Sequence, residues 1–162
     1  MKLLKKMNEI VLKICEVVLL VSGNAVPIVI LTAAFMRYIL KINFGGYEEI
    51  VVVFALWMYF MGSVLATSND SHIQANMTGL IFKNVFLLKK IKFVKHLITL
   101  SISLMATSWA IKYLAWSFNK NPKTVVFKFP MTISQTAILV SFILMSAYSI
   151  VYTIRSYKEM RG

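Results

Sequence analysis

One hundred and sixty-two residues would ordinarily make one soluble domain, but 59% of this chain is hydrophobic and 15% charged, against roughly 45–50% and roughly 25% in soluble chains. That balance excludes a water-soluble globule. Eighteen Lys and Arg against six Asp and Glu give a net charge of +12, which in so apolar a chain reads as membrane topology and not as a nucleic-acid surface.

In chain order, Lys2, Lys5 and Lys6 come first. An uncharged run of twenty residues, Val17 to Met36, then lies between Glu16 and Arg37. At about 1.5 Å per residue a helix of this length crosses a hydrocarbon core of roughly 30 Å. The run is too long for a secretory signal core and lacks a small-x-small cleavage site before a polar mature domain, so it is expected to be a span. Within it, Pro27 predicts a kink whose freed carbonyl a neighbouring helix satisfies. Asn24, one turn earlier, is expected to hydrogen-bond a neighbouring helix, the other reading being a lumen-lining group.

The second run, Ile50 to Asn69, is again twenty residues long and contains Trp57. After it, Met77, Leu80, Ile81, Phe82, Val85, Phe86 and Leu88 mix irregularly with Lys83, Asn84, Lys89 and Lys90. This segment is too polar to span and too apolar to float, which predicts an interfacial amphipathic helix over about 75–90. The other reading is an extension of the third span. That third run covers Leu97 to about Trp116 and holds one charge, Lys112, whose stem is long enough to reach the interface. In the fourth, nothing charged occurs between Lys128 and Arg155, and Pro130 precedes a helix expected from about Thr132 to Ile154. The expected architecture is an all-α membrane protein, one domain over 1–162, with four transmembrane helices near 17–38, 48–69, 96–117 and 131–154.

Counting Lys and Arg by flank gives the orientation. The N-terminal stretch, the 70–96 connection and the C-terminus hold twelve, and the two other connections six, including Lys120, Lys123 and Lys128. The positive-inside rule then places both termini and the 70–96 connection in the cytoplasm, and the two other hairpins in the periplasm or outside.

The spans are poor in chemistry. Glu16, Arg37, Glu48, Glu49 and Asp70 all sit at span ends, so the mid-span carboxylate that a proton-coupled small exporter requires is missing. The two histidines, His72 and His96, lie near one edge and do not form haem-binding pairs. The single cysteine, Cys15, excludes an internal disulfide and a thiolate metal cluster. No HExxH, phosphate loop or catalytic triad pattern is present, so neither an enzyme nor a metal or cofactor site is expected. What recurs is small residues at helical spacing: Gly62 with Ala66, Ser103 with Thr107, Ala106 with Ala110, and Ser134 with Ala137 and Ser141. Such spacing lets helix backbones approach closely.

The first hairpin carries a more specific pattern. Phe35-Met36-Arg37-Tyr38, a short loop through Asn43-Phe44-Gly45-Gly46, Tyr47-Glu48-Glu49 opening a span with Trp57 and Gly62, and His72-Ile73 beyond it resemble the small membrane subunit (the DctQ/SiaQ-like Q subunit) of tripartite ATP-independent periplasmic (TRAP) transporters. The family often has tryptophan two residues before the glutamate pair, where this chain has Gly46, and aspartate four residues after the histidine, where it has Asn76.

Each of these residues also has a structural reading. Glu48 and Glu49 complement the positive end of a helix dipole. Arg37 pairs with one of them across the hairpin or grips a lipid phosphate. Tyr38, Tyr47 and Trp57 serve as interface or packing aromatics, and His72 is a solvated loop histidine that caps the interfacial helix.

The resemblance implies a non-catalytic scaffold that pairs with a large membrane subunit holding the substrate and Na+ sites. A periplasmic substrate-binding protein then delivers an organic anion such as sialic acid or a C4-dicarboxylate. Arg37, Tyr38, Glu48, Glu49, Trp57, Gly62 and His72 are the candidates for contact with that subunit or with membrane lipids, and Lys120, Lys123 and Lys128 for docking the binding protein. A reading of another class, a homo-oligomeric small exporter or pore, follows from the small-residue faces alone.

Overall fold

A computed structural model describes residues 2–69 and 85–161. They form four α-helices: α1 (Lys2–Tyr38), α2 (Tyr47–Ser68), α3 (Val85–Lys120) and α4 (Thr132–Arg161). All four are long and apolar enough to cross a membrane. With 37 residues in α1 and 36 in α3, these two run about 55 Å at the α-helical rise, well beyond the hydrocarbon. The excess lies at the end that carries both chain termini. α1 continues through Pro27 without a break. Asn24, exposed on α1, donates to the carbonyl of Leu20 in its own helix (2.7 Å), so the expected bond to a neighbouring helix is not made among the described residues.

The interfacial helix expected over 75–90 lies for the most part outside the described residues. Its last positions, 85–90, are the opening turns of α3. In that stretch the extension of the third span is what forms, because the same backbone hydrogen-bond ladder runs on into the apolar segment.

α1 packs on α2, α2 on α4, and α4 on α3, so the helices are ranged in the order α1, α2, α4, α3, with α1–α2 and α3–α4 antiparallel and α2 and α4 running the same way. The core joining the first three is Cys15, Met61 and Val64, against which Val11, Leu19, Trp57, Leu144 and Tyr148 pack. Near the termini the Tyr148 hydroxyl donates to Asn8 Oδ1 of α1 (2.6 Å). Gly62 faces α1, where a Cβ would meet Leu19 Cδ1 at 3.6 Å. An alanine fits there, while a larger side chain would push the two helices apart.

Burial is inverted relative to a soluble protein. Ser103, Ser117, Ser134, Ser141, Ser146, Ser149 and Ser156 are buried with Ala110 and Ala137, while Leu20, Leu31, Ile98, Ile102, Trp109 and Val151 are exposed. In hydrocarbon a large apolar side chain gains nothing by turning inward, whereas small residues allow close backbone packing and hydroxyls can bond across it. At the α3–α4 seam, Thr107 Oγ1 lies 2.9 Å from Ser146 Oγ and 3.1 Å from the Phe142 carbonyl. Lower down, the Thr153 hydroxyl reaches the His96 carbonyl at 3.2 Å.

The seam makes a graded prediction. Interhelical polar bonds in membranes average about 0.6 kcal/mol and reach about 1.7 kcal/mol, so Thr107→Val should destabilise the chain by about that much. Ser141→Leu introduces bulk at a site with 0% exposure and should cost more, about 1–3 kcal/mol from overpacking. Reversible unfolding in mixed micelles measures both.

Candidate functional site

The two connections opposite the termini meet, and the meeting is built on α2. After α1 ends at Tyr38, the chain turns through Lys41 (φ 54°) to Gly46, which caps α2 in the left-handed region (φ 86°, ψ 0°). Its carbonyl accepts the Glu49 N–H at 3.0 Å and closes the first turn. Glu48 and Glu49 therefore stand at the positive end of the helix dipole. Glu48 is exposed.

Glu49 is engaged further. Its Oε1 accepts the backbone N–H of Val126 at 2.7 Å and its Oε2 that of Phe127 at 3.0 Å. Both donors belong to the α3–α4 connection, which folds as a small hairpin. The Thr124 N–H donates to the Phe129 carbonyl (2.9 Å), the Phe129 N–H to Thr124 Oγ1 (2.9 Å), and the Met131 N–H to the Pro122 carbonyl (2.9 Å). Lys123 and Pro130 form an antiparallel bridge. The bend is left with N–H groups that need an acceptor, and the carboxylate supplies one oxygen to each, the stronger, charge-assisted kind of bond.

Aromatic rings close the contact. The Phe44 centroid lies 6.5 Å from Tyr47 and 6.4 Å from Phe127, which stacks on Phe129 at 5.6 Å. A Cβ on Gly46 would sit 2.8 Å from Val126 Cβ and 2.9 Å from a Phe127 ring carbon. Position 46 thus requires glycine twice over, for its positive φ and for the approach of Val126. Val126 and Phe127 of the second hairpin fill the space over α2 at this position.

The structure corrects the expected pairing of Arg37 with Glu48 or Glu49. Among the described residues no ion pair joins them. The Arg37 guanidinium lies 5.9 Å from the centroid of its neighbour Tyr38, and Glu49 is turned to the other hairpin. Arg37 and Tyr38, the latter 76% exposed, face outward. Trp57 and Gly62 are placed against the chain's own helices, Trp57 in the core with Cys15 and Met61. Lys120, Lys123 and Lys128 are exposed on and beside the second hairpin, with Lys128 at φ 54°. His72 lies outside the described residues. Val126 and Phe127 had no signal in the sequence, because they act through their backbone.

The first hairpin and the span it opens are the region on which the family pattern rests. The family described as tripartite ATP-independent periplasmic transporters, DctQ component, matches residues 26–159. The chain belongs to this family. It is a multi-pass membrane component of a TRAP transporter, and the match takes in both hairpins opposite the termini and the last three spans. No curated protein matches the chain.

The clamp predicts a difference between adjacent glutamates. Glu49→Ala should speed hydrogen exchange at the Val126 and Phe127 amides, while Thr124, bonded within its own hairpin, changes less. Glu48→Ala should leave all three unchanged. Equal effects from the two substitutions would reduce Glu49 to a helix-dipole charge.

Proposed function

We propose that this DctQ component is the fixed scaffold subunit of a sodium-coupled transporter. It pairs with a large membrane subunit that carries the substrate and Na+ sites, and a periplasmic binding protein supplies an organic anion such as sialic acid or a C4-dicarboxylate. The reading carries both termini in the cytoplasm and the two clamped hairpins in the periplasm. The observation that supports it most is the family match over residues 26–159.

The geometry adds support from α1. This helix stands at one end of the row, and its outward face carries Leu20, Val21, Ile28 and Leu31 with Asn24 among them, all exposed. An amide in mid-span is costly against lipid, since its remaining polar atoms have no partner in hydrocarbon. A protein surface that returns a hydrogen bond suits that face better, and the large subunit is the partner of the right kind.

The test is co-purification in mild detergent followed by reconstitution. The chain with the large subunit and binding protein should take up labelled organic anion when a sodium gradient is imposed, and the chain alone should take up none. Asn24→Leu should weaken recovery of the pair by about three- to eighteenfold, the factors that correspond to one interhelical bond of about 0.6–1.7 kcal/mol. Uptake or ion flux by the purified chain alone would overturn the scaffold reading in favour of a homo-oligomeric exporter or pore.

Docking of the binding protein on the outer hairpins rests on the exposed charge of Lys120, Lys123 and Lys128. Neutralising all three should slow association chiefly at low salt, because exposed charges act on encounter rates and are screened. Unchanged docking and uptake would remove these lysines from the interface.

A further inference from the structure

Opposite the clamp, at the end bearing the termini, α2, α3 and α4 form a half-open cavity of about 330 Å³, lined by Asn69, Lys92, His96, Tyr152, Arg155 and Glu159 among others. Its inner wall is held by contacts between helices, while Lys92, Arg155 and Glu159 stand at its exposed mouth. Tyr152 donates its hydroxyl to the Ser68 carbonyl at the C-terminus of α2, an acceptor that the helix itself leaves open. His96, 4% exposed, stacks on the Tyr152 ring with centroids 5.8 Å apart and planes 18° apart. Glu159 holds two cations from different helices, Lys92 Nζ at 3.1 Å and Arg155 Nε at 3.6 Å.

We propose that this cavity binds a phosphate group, supplied by the headgroup of an anionic phospholipid or by a soluble phosphate.

The donor balance favours such a ligand. Among the described lining residues one glutamate faces one ammonium and one guanidinium, leaving a net positive charge. Lys92 offers three donors and spends one on Glu159, while Arg155 engages the carboxylate through Nε and keeps its two terminal amino groups. Among the described residues these amino groups have no hydrogen-bond partner. A ligand with several acceptor oxygens and a negative charge completes the set, and a guanidinium fork fits phosphate oxygens in pairs.

Depth in the membrane favours the lipid source. Lys92 precedes the third apolar run, and Arg155 and Glu159 follow the last uncharged residue of the fourth, Ile154. The cavity therefore lies where hydrocarbon gives way to headgroups, the level at which basic side chains meet anionic lipid. His96, Tyr152 and Asn69 give it an inner wall, which a patch of surface lysines lacks.

The test uses the full chain in nanodiscs of phosphatidylcholine doped with phosphatidylglycerol, counting lipids retained after extraction by native mass spectrometry. The unmodified chain should retain phosphatidylglycerol in preference. Arg155→Gln and Lys92→Gln should each lower that retention about fivefold, the factor for one basic residue against an anionic headgroup. Lys158→Gln, one turn away and outside the cavity, should leave it unchanged, with helix content by circular dichroism the same in all variants. A second arm compares thermal unfolding in neutral detergent with inorganic phosphate and with chloride at equal ionic strength. Stabilisation by phosphate that Arg155→Gln abolishes supports the site with a soluble source, and selective lipid retention without it supports the headgroup. Equal losses in Arg155→Gln and Lys158→Gln would show diffuse surface charge and overturn the proposal. So would the absence of any difference between the unmodified chain and Arg155→Gln in both arms.

Discussion

Water does not drive helices together inside hydrocarbon, so this fold depends on how closely its backbones can approach. α4 meets that constraint on two sides at once. It receives α2 and α3, and Ser134, Ala137, Ser141, Ser146, Ser149 and Ser156 are buried along it. Each is small enough to admit a neighbouring backbone, and several carry a hydroxyl that can bond to it. The bulky side chains are left outside, where lipid or another protein covers them at no loss. A leucine in this seam would therefore do more damage than a serine on the lipid face.

The same chain solves a second problem where it leaves the hydrocarbon. The connections opposite the termini are short, and a bend such as 124–129 cannot pair all of its own N–H groups. Glu49 takes two of them, and the Phe44–Phe127 contact covers the join. Two loops that are distant in sequence become one cap over the end of α2. At the other end Tyr152, His96 and the Glu159 ion pairs tie α2, α3 and α4. A row of helices fastened at both ends is suited to staying still while a partner moves beside it.

Much of the architecture was legible because uncharged runs and helical small-residue spacing are local properties. Four spans, the start of α4 after Pro130 and the small-residue contacts of Ser103, Ala110, Ala137 and Ser141 could be read directly. Extension of α1 and α4 past the hydrocarbon could not, and that of α3 was only the second of two readings, because polar residues are as compatible with a helix in water as with a loop. The site was half legible. Glu49 stood out, but its partner did not: a carboxylate bound by backbone N–H groups leaves no complementary side chain to find, and Arg37 at the end of the preceding span drew the pairing instead. Gly46 read only as a departure from the family pattern, and the close approach of Val126 to it leaves no mark in the sequence. Trp57 and Gly62, candidates for contact with another subunit, are taken up by packing against α1 and its neighbours.

The proposed scaffold role requires that the cap clamped by Glu49 keep one geometry while the partner moves. Spin labels at Lys41 and Lys128, one on each outer connection, placed in a chain with Cys15 replaced by serine and assembled with the large subunit, give the distance across the cap by pulsed electron resonance. A single narrow distribution, unchanged by sodium, organic anion and binding protein, is the predicted result. A second distance that appears with sodium or substrate would contradict it, because the cap would then be a moving part of the transport cycle.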